Sequence, residues 1–354
     1  MSEVLANQRL SPALVWTMTF AAGASVANLY FNQPLLASIA KTFHASAREL
    51  GWMPMLTQIG YAVGMLLFVP LGDQTERRRL IVSMLIAVTG ALIFTALAPS
   101  FGWLLAASFL VGLTTIVPQL LLPFSALLAG PKERGKVVGT LMGGLLIGIL
   151  IARTFAGTIG FHFGWRIVYY LAAGLMALVA ALLVKLLPKS EPTQSVSYRE
   201  LMASMLTLIR EHAVLREASV IGAMLFGAFS VFWTTLVFLL AKPPYHFGSQ
   251  VAGLFGLVGL AGAMAAPVVG RLADVRSPRL TVGLCIFITL ASFGVLWGFS
   301  HHLTGLIAGV ILLDLGVQGA QVSNQARIYS LPQAIHSRLN TVYMVSYFVG
   351  GALG

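Results

Sequence analysis

Val69-Pro70-Leu71-Gly72-Asp73-Gln74-Thr75-Glu76-Arg77-Arg78 and Gly270-Arg271-Leu272-Ala273-Asp274-Val275-Arg276-Ser277-Pro278-Arg279 are two versions of one polar loop. Each sets an acid and a basic cluster between long apolar runs, and the two aspartates stand 201 residues apart. Each copy joins the second and third apolar runs of its own part of the chain. The sequence therefore reads as two related halves, a pattern that membrane proteins build around an axis along the membrane normal.

Working outward from the loops, apolar runs recur along the whole chain. They lie near 13–36, 50–71, 80–98, 103–128, 137–160, 167–187, 219–241, 250–269, 280–300 and 304–328, with an eleventh starting near 340. Most are long enough to cross a hydrocarbon core of ~30 Å. Of 354 residues, 58% are hydrophobic and 9% charged, and the mean hydropathy is +0.87. A soluble chain carries about a quarter charged residues, so soluble enzyme classes are excluded. The expected fold is an all-α polytopic bundle with two pseudo-symmetric six-helix halves. Residues 1–187 form the first half and 219–354 the second, which stops inside its eleventh span. Residues 188–218 form a cytoplasmic linker in which Leu201, Met205, Leu208 and Leu215 recur at helical spacing. That spacing fits a helix lying flat on the lipid headgroups, or a solvated tether.

The basic residues give the orientation. With the N-terminus inside, cytoplasmic segments hold 17 Lys and Arg against 4 outside, and Arg153 is embedded. By the positive-inside rule the N-terminus is cytoplasmic. The net charge of +11 is thereby a matter of topology, and nucleic acid is not an expected partner. Cys285 is the single cysteine, so no disulfide or cysteine metal site is available. Gly130-Pro131-Lys132-Glu133-Arg134-Gly135-Lys136 has the spacing of a phosphate loop, but Val137 follows where Ser or Thr would hold magnesium. It also joins two membrane runs instead of a strand and a helix. No cofactor, metal or ATP hydrolysis is expected.

Both loops resemble the cytoplasmic signature of the major facilitator superfamily, more closely in the second copy (Gly270, Leu272, Ala273, Asp274, Arg279) than in the first. Val69, Gln74 and Glu76 are the first copy's departures. Further segments are similar to a bacterial subgroup of inner-membrane exporters. These are Asn28 to Leu36, Gln58-Ile59-Gly60-Tyr61, Glu133-Arg134-Gly135, Gly164-Trp165-Arg166 and Ser337-Arg338-Leu339-Asn340-Thr341. The resemblance implies twelve spans, so the twelfth and part of the eleventh are expected to be missing and the chain is not expected to transport. It also implies a cytoplasmic latch in which Asp73, Arg77, Arg78, Asp274 and Arg279 join the halves, with Arg338 as partner of Asp73. An ion cluster of this kind can hold one conformation and part in another; alternatively the arginines only enforce topology.

The acids locate the chemistry. Asp314 alone lies near the middle of a span, and Arg153 is the one embedded base. An ionised group at the bilayer centre costs ~2.5–3.5 kcal/mol even on insertion scales, so such a residue is functional by default. Asp314, Gln318, Gln321 and Gln325 fall on one helical face, either as cavity lining or as interhelical hydrogen-bonding groups. Asn28, Asn32, Gln119, Trp233 and Thr234 add polar groups on spans one, four and seven, and the resemblance makes spans one, four, seven and ten the cavity-lining helices. Asn32-Gln33-Pro34 is alternatively a structural helix end. Arg153 is expected as counter-charge to Asp314; the alternatives are that it snorkels outward or is a site for an anionic substrate. Gly144, Gly148, Ala152, Ala156 and Gly160 form a smooth stripe on span five, with Gly253, Gly256, Gly259 and Gly262 on span eight; the resemblance has these spans meet between halves. Ala152-Arg153 replaces the Gly-Pro of the family's drug/proton antiporters, and Ser108 their embedded Arg.

The function expected of the version with all twelve spans is that of a monomeric secondary transporter in a bacterial inner membrane. It exports a small organic molecule by alternating access, with protons coupled through Asp314 and Arg153. A proton-coupled importer and an inactive remnant are the alternatives, and a receptor or scaffold is the reading from another class.

Overall fold

A computed structural model describes residues 11–130, 133–190, 198–264, 277–332 and 335–354. The elements formed by its described residues are all helices, and nine of these are long and apolar enough to cross a membrane. The first span is Pro12–Ala27 followed by Asn32–Phe43, and the second is Trp52–Phe68. The third is Arg77–Ala96, and the fourth is Phe101–Thr114 with Val117–Leu128. Spans five to seven are Arg134–Phe163, Trp165–Leu186 and Ala213–Ala241. Ser249–Met264, Pro278–Phe299, Leu303–Ile328 and His336–Leu353 are spans eight to eleven.

Two spans are broken, each for a reason written in proline. Pro34 has no N–H, and its ring would strike the carbonyl four residues back in a continuous helix. The chain answers with a tight turn in which Asn28, Leu29 and Tyr30 donate to the carbonyls of Ser25, Val26 and Ala27, three residues back. The span then continues to Phe43, further than the expected end near 36. Pro118 does the same to span four, where the helix stops at Thr114 and restarts at Val117. Gly164 joins spans five and six at φ +85°, a backbone region that favours glycine. Next to it, Trp165 Nε1 donates to Thr42 Oγ1 at 3.1 Å and Arg166 to the Ala98 carbonyl at 2.9 Å.

Glycine sets how closely the spans approach. A Cβ on Gly148 would strike the backbone of Gly23, and one on Gly144 would strike Thr19. The small-residue stripe of span five thus packs on span one, continuing to Gly160 against Leu35. Span eight meets a neighbouring face of span five, where Gly253 lies on the Arg153 carbonyl and Gly157. Thr154 Oγ1 and Ser249 Oγ stitch that contact, donating to the carbonyls of Gly253 and Gly157. One helix carries two smooth faces, and spacing alone does not say which neighbour takes which.

The linker also departs from expectation. Its helix Tyr198–Glu211 buries Leu201, Met205 and Leu208 against spans seven and eleven instead of lipid. Tyr198 Oη donates to the Leu67 carbonyl of span two at 3.1 Å. Leu201 and Met205 line one small crevice with Val69, Pro70, Ser337, Arg338 and Thr341. Span seven begins at Ala213, inside the stretch expected to be linker, because Leu215 and Ala218 are fully buried.

Candidate functional site

Arg153 and Asp314 are each 1% exposed. Arg153 comes from the face of span five that meets span eight, where its Cβ lies under Gly256. Its Nε donates to Gln33 Oε1 of span one at 2.8 Å. The guanidinium lies 3.9 Å from the ring centroid of Trp233, with Tyr30 at 4.9 Å and Phe229 at 5.7 Å. Stacking of this kind is attractive because the ring face is electron-rich, most of all in tryptophan. Asp314 approaches from span ten. Its Oδ2 and the Cζ2 of Trp233 both lie 3.1 Å from the position of a Cβ built on Gly259. The carboxylate thus sits by the benzene edge of the indole whose face carries the guanidinium.

No ion pair joins the two charges. Nη1 and Nη2 of Arg153, both carboxylate oxygens of Asp314 and Nε1 of Trp233 make no hydrogen bond within the protein. The expected counter-charge relation is therefore indirect: the two side chains are brought together, but across Trp233. Buried polar groups are paired in the great majority of cases, so five unpartnered atoms around one indole set this place apart.

The other expected cavity residues divide. Asn28 is 2% exposed with its carboxamide unpartnered. Asn32 donates to Thr57 Oγ1 at 3.2 Å, and Gln119 donates to the hydroxyl of Tyr61 at 3.2 Å. Gln321 accepts from Tyr347 Oη at 3.4 Å, and Gln318 is half-buried one turn from Asp314. Thr234 faces away, lining an outer crevice of about 260 Å³ with Arg48, Trp52 and Gln58. Gln58 of that crevice donates to the buried Ser230 Oγ at 3.2 Å.

Apart from Trp233, the aromatic residues are what sequence reasoning missed. Phe226 stacks on Tyr347 at 4.0 Å, and Tyr61 meets Phe348 edge-on at 4.5 Å, which joins span two to span eleven. Phe226, Phe229 and Trp233 recur at helical spacing on span seven, a legible stripe that reads as bulk until the guanidinium is placed on it. Gln33 and Gln58 lie within segments that carry the family resemblance, which assigns them no role.

At the end of the bundle that carries the polar loops, the second-half cluster is regrouped. Arg279 pairs with Glu217 at 2.9 Å, and Glu217 with Arg327 at 2.6 Å, so spans seven, nine and ten are tied within one half. The side chain of Asp73 and all of Asp274 lie outside the described residues. Arg77 is buried, and its backbone N–H donates to Ser190 Oγ of the linker at 3.2 Å. Arg78 and Arg338 are half-buried, the latter in the crevice beside Val69 and Pro70. Span eleven thus starts beside the first polar loop.

Comparison with known proteins places this geometry. The model of the Major Facilitator Superfamily matches residues 15–354. An uncharacterized transporter YgaY of Escherichia coli O157:H7 is 42% identical over 348 residues, covering 98% of this chain and 88% of the relative. Probable transporter SCO4007 of Streptomyces coelicolor is 32% identical over 93% of this chain and 76% of its own length. Among solved structures, a bacterial homolog of the human lysosomal transporter Spinster, inward-facing and occupied, aligns with TM-score 0.80. That alignment is 16% identical and covers 97% of this chain and 80% of that one. A point mutant of the nucleoside transporter NupG aligns with TM-score 0.77 at 11% identity, over 96% of this chain and 89% of that one.

Proposed function

From the premise that this chain belongs to the major facilitator superfamily, and so is a multi-pass membrane transporter, we propose that it moves a small organic molecule by proton-coupled alternating access. The direction is outward, across a bacterial inner membrane, with the N-terminus in the cytoplasm and the protein acting as a monomer. Outward movement rests on likeness to exporters; orientation rests on the 17-to-4 distribution of basic residues.

One observation carries the coupling. Asp314 is an acid buried at the junction of spans seven, eight and ten, with both oxygens unpartnered. Its neighbours are Arg153, Trp233 and two glycines, so no protein group fixes its charge by direct contact. A carboxyl in that position takes a proton when the site faces one side and gives it up when it faces the other. Gln33 and the three rings hold Arg153 still meanwhile. The division into residues 1–187 and 219–354 supplies the two bodies that rock, with the linker between them. Asp73, Arg77, Arg78, Asp274 and Arg338 form the cytoplasmic latch, and the Arg279 pairing makes the second half a rigid unit.

The test uses everted membrane vesicles from cells producing the protein, energised to an acidic interior and reported by a pH-sensitive dye. A transported solute dissipates the gradient in wild-type vesicles and leaves it intact in Asp314→Asn vesicles. Dissipation of equal size in both removes Asp314 from coupling.

A further inference from the structure

The two buried charges describe the solute as well as the proton. Nε of Arg153 is engaged by Gln33, which leaves the terminal nitrogens Nη1 and Nη2 as an unoccupied fork. Such a fork matches the two oxygens of a carboxylate. Asp314, with two unpartnered acceptor oxygens at the edge of the same indole, matches an ammonium. Resting on the transport reading above, we propose that the solute is a small zwitterion of the amino-acid type. Its carboxylate is received by Arg153 and its ammonium by Asp314.

Three features favour this over a simple anion or cation. The site's own charges sum to zero with Asp314 ionised, and a zwitterion keeps the sum at zero while pairing both groups. An anion alone would be balanced only with Asp314 protonated and would leave the exchange of solute for proton unexplained, and a cation alone would leave Arg153 buried and unpaired, which is costly in a low-dielectric interior. The aromatic rings of Trp233, Tyr30 and Phe229 packed around the guanidinium shield it from water and so strengthen its attraction for a carboxylate. Finally, ammonium and proton need the same two oxygens of Asp314. Binding one displaces the other, which is the exchange an outward, proton-driven carrier requires. The charged and titratable groups within range of Asp314 are Arg153 of span five, Tyr30 of span one and Tyr347 of span eleven. None of these three offers a second carboxylate to take the ammonium instead.

Binding without a gradient separates this inference from the coupling role. The purified full chain in detergent is titrated with leucine, phenylalanine and tryptophan, and each with its amide and its N-acetyl derivative. Melting temperature and binding heat are both read. At least one parent amino acid is expected to bind, with its amide and its N-acetyl form each about a hundredfold weaker, as for loss of one buried charge contact. Arg153→Gln should erase the preference for acid over amide, and Asp314→Asn the preference for free amine over N-acetyl amine. The comparison of derivatives on the wild-type protein stands even where a variant fails to fold. Equal binding of an amide or N-acetyl form, or no response to any of the three parents, overturns the zwitterion assignment. A clean preference together with proton flux unchanged in Asp314→Asn would uphold the assignment and remove only the coupling role.

Discussion

Gln33 is the residue through which the Arg153 geometry is most directly perturbed. Its Oε1 accepts the Nε proton at 2.8 Å with both side chains buried. Gln33→Leu leaves that donor unsatisfied, at a cost of about 1–3 kcal/mol, and frees the guanidinium to leave the Trp233 face. A lower melting temperature is expected, and the near-isosteric Gln33→Glu, which retains an acceptor, serves as its control. If Gln33→Leu melts with the wild type, the hydrogen bond does not position Arg153. Glycines offer a second contrast within one helix. Gly148→Ala places a methyl on the backbone of Gly23, whereas Gly143→Ala meets nothing within 4 Å. Overpacking costs ~1–3 kcal/mol, while alanine in an open helix position gains up to ~1 kcal/mol. The two substitutions should therefore shift the melting temperature in opposite directions, and a shared sign would mean that spans one and five are not in close contact.

At the scale of the element, the linker helix is bound to the body through Leu201, Met205 and Leu208 and through Tyr198 to span two. In a Cys285→Ser background, a Tyr198→Cys and Leu67→Cys pair should be bridged by a short bifunctional maleimide. Met205→Glu places a charge in the packed face and should abolish the bridge; persistence of the bridge would return the helix to the lipid surface. The helix itself was legible, because Leu201, Met205 and Leu208 at spacings of four and three leave little choice of face. What that face touches was not legible, since protein and headgroup region both accept an apolar stripe. The same limit applies to span five, where Gly144, Gly148 and Gly160 announce a close neighbour but identify it as span one only in three dimensions. Pro34 and Pro118 did announce the breaks in spans one and four. Asp314 and Arg153 stood out because charge inside an apolar run is rare. Trp233 stood out only as a polar group on span seven, and Tyr30 and Phe229 did not, because aromatic residues in a membrane helix are common and acquire a role only from the cation placed among them.

For the whole molecule, the span pattern and the repeated loops sufficed to read a polytopic helical bundle of this superfamily. Orientation is tested in the Cys285→Ser background with single cysteines at exposed Lys41 and Lys189. In intact cells an impermeant maleimide should label Lys41→Cys alone, and in everted vesicles Lys189→Cys alone. The reverse pattern would invert the topology and, with it, the side on which the latch lies. The central claim is that Asp314 exchanges a proton for solute, and one comparison addresses it most directly. Proteoliposomes containing wild type or Asp314→Gln are loaded with an amino acid established as a ligand by titration, and proton counterflow is followed as that solute moves down its gradient. Wild-type vesicles should alkalinise or acidify in step with solute flux, in a fixed ratio and in the opposite direction. The Gln variant should show no proton movement above protein-free vesicles. A fixed ratio that survives in Asp314→Gln would contradict the account.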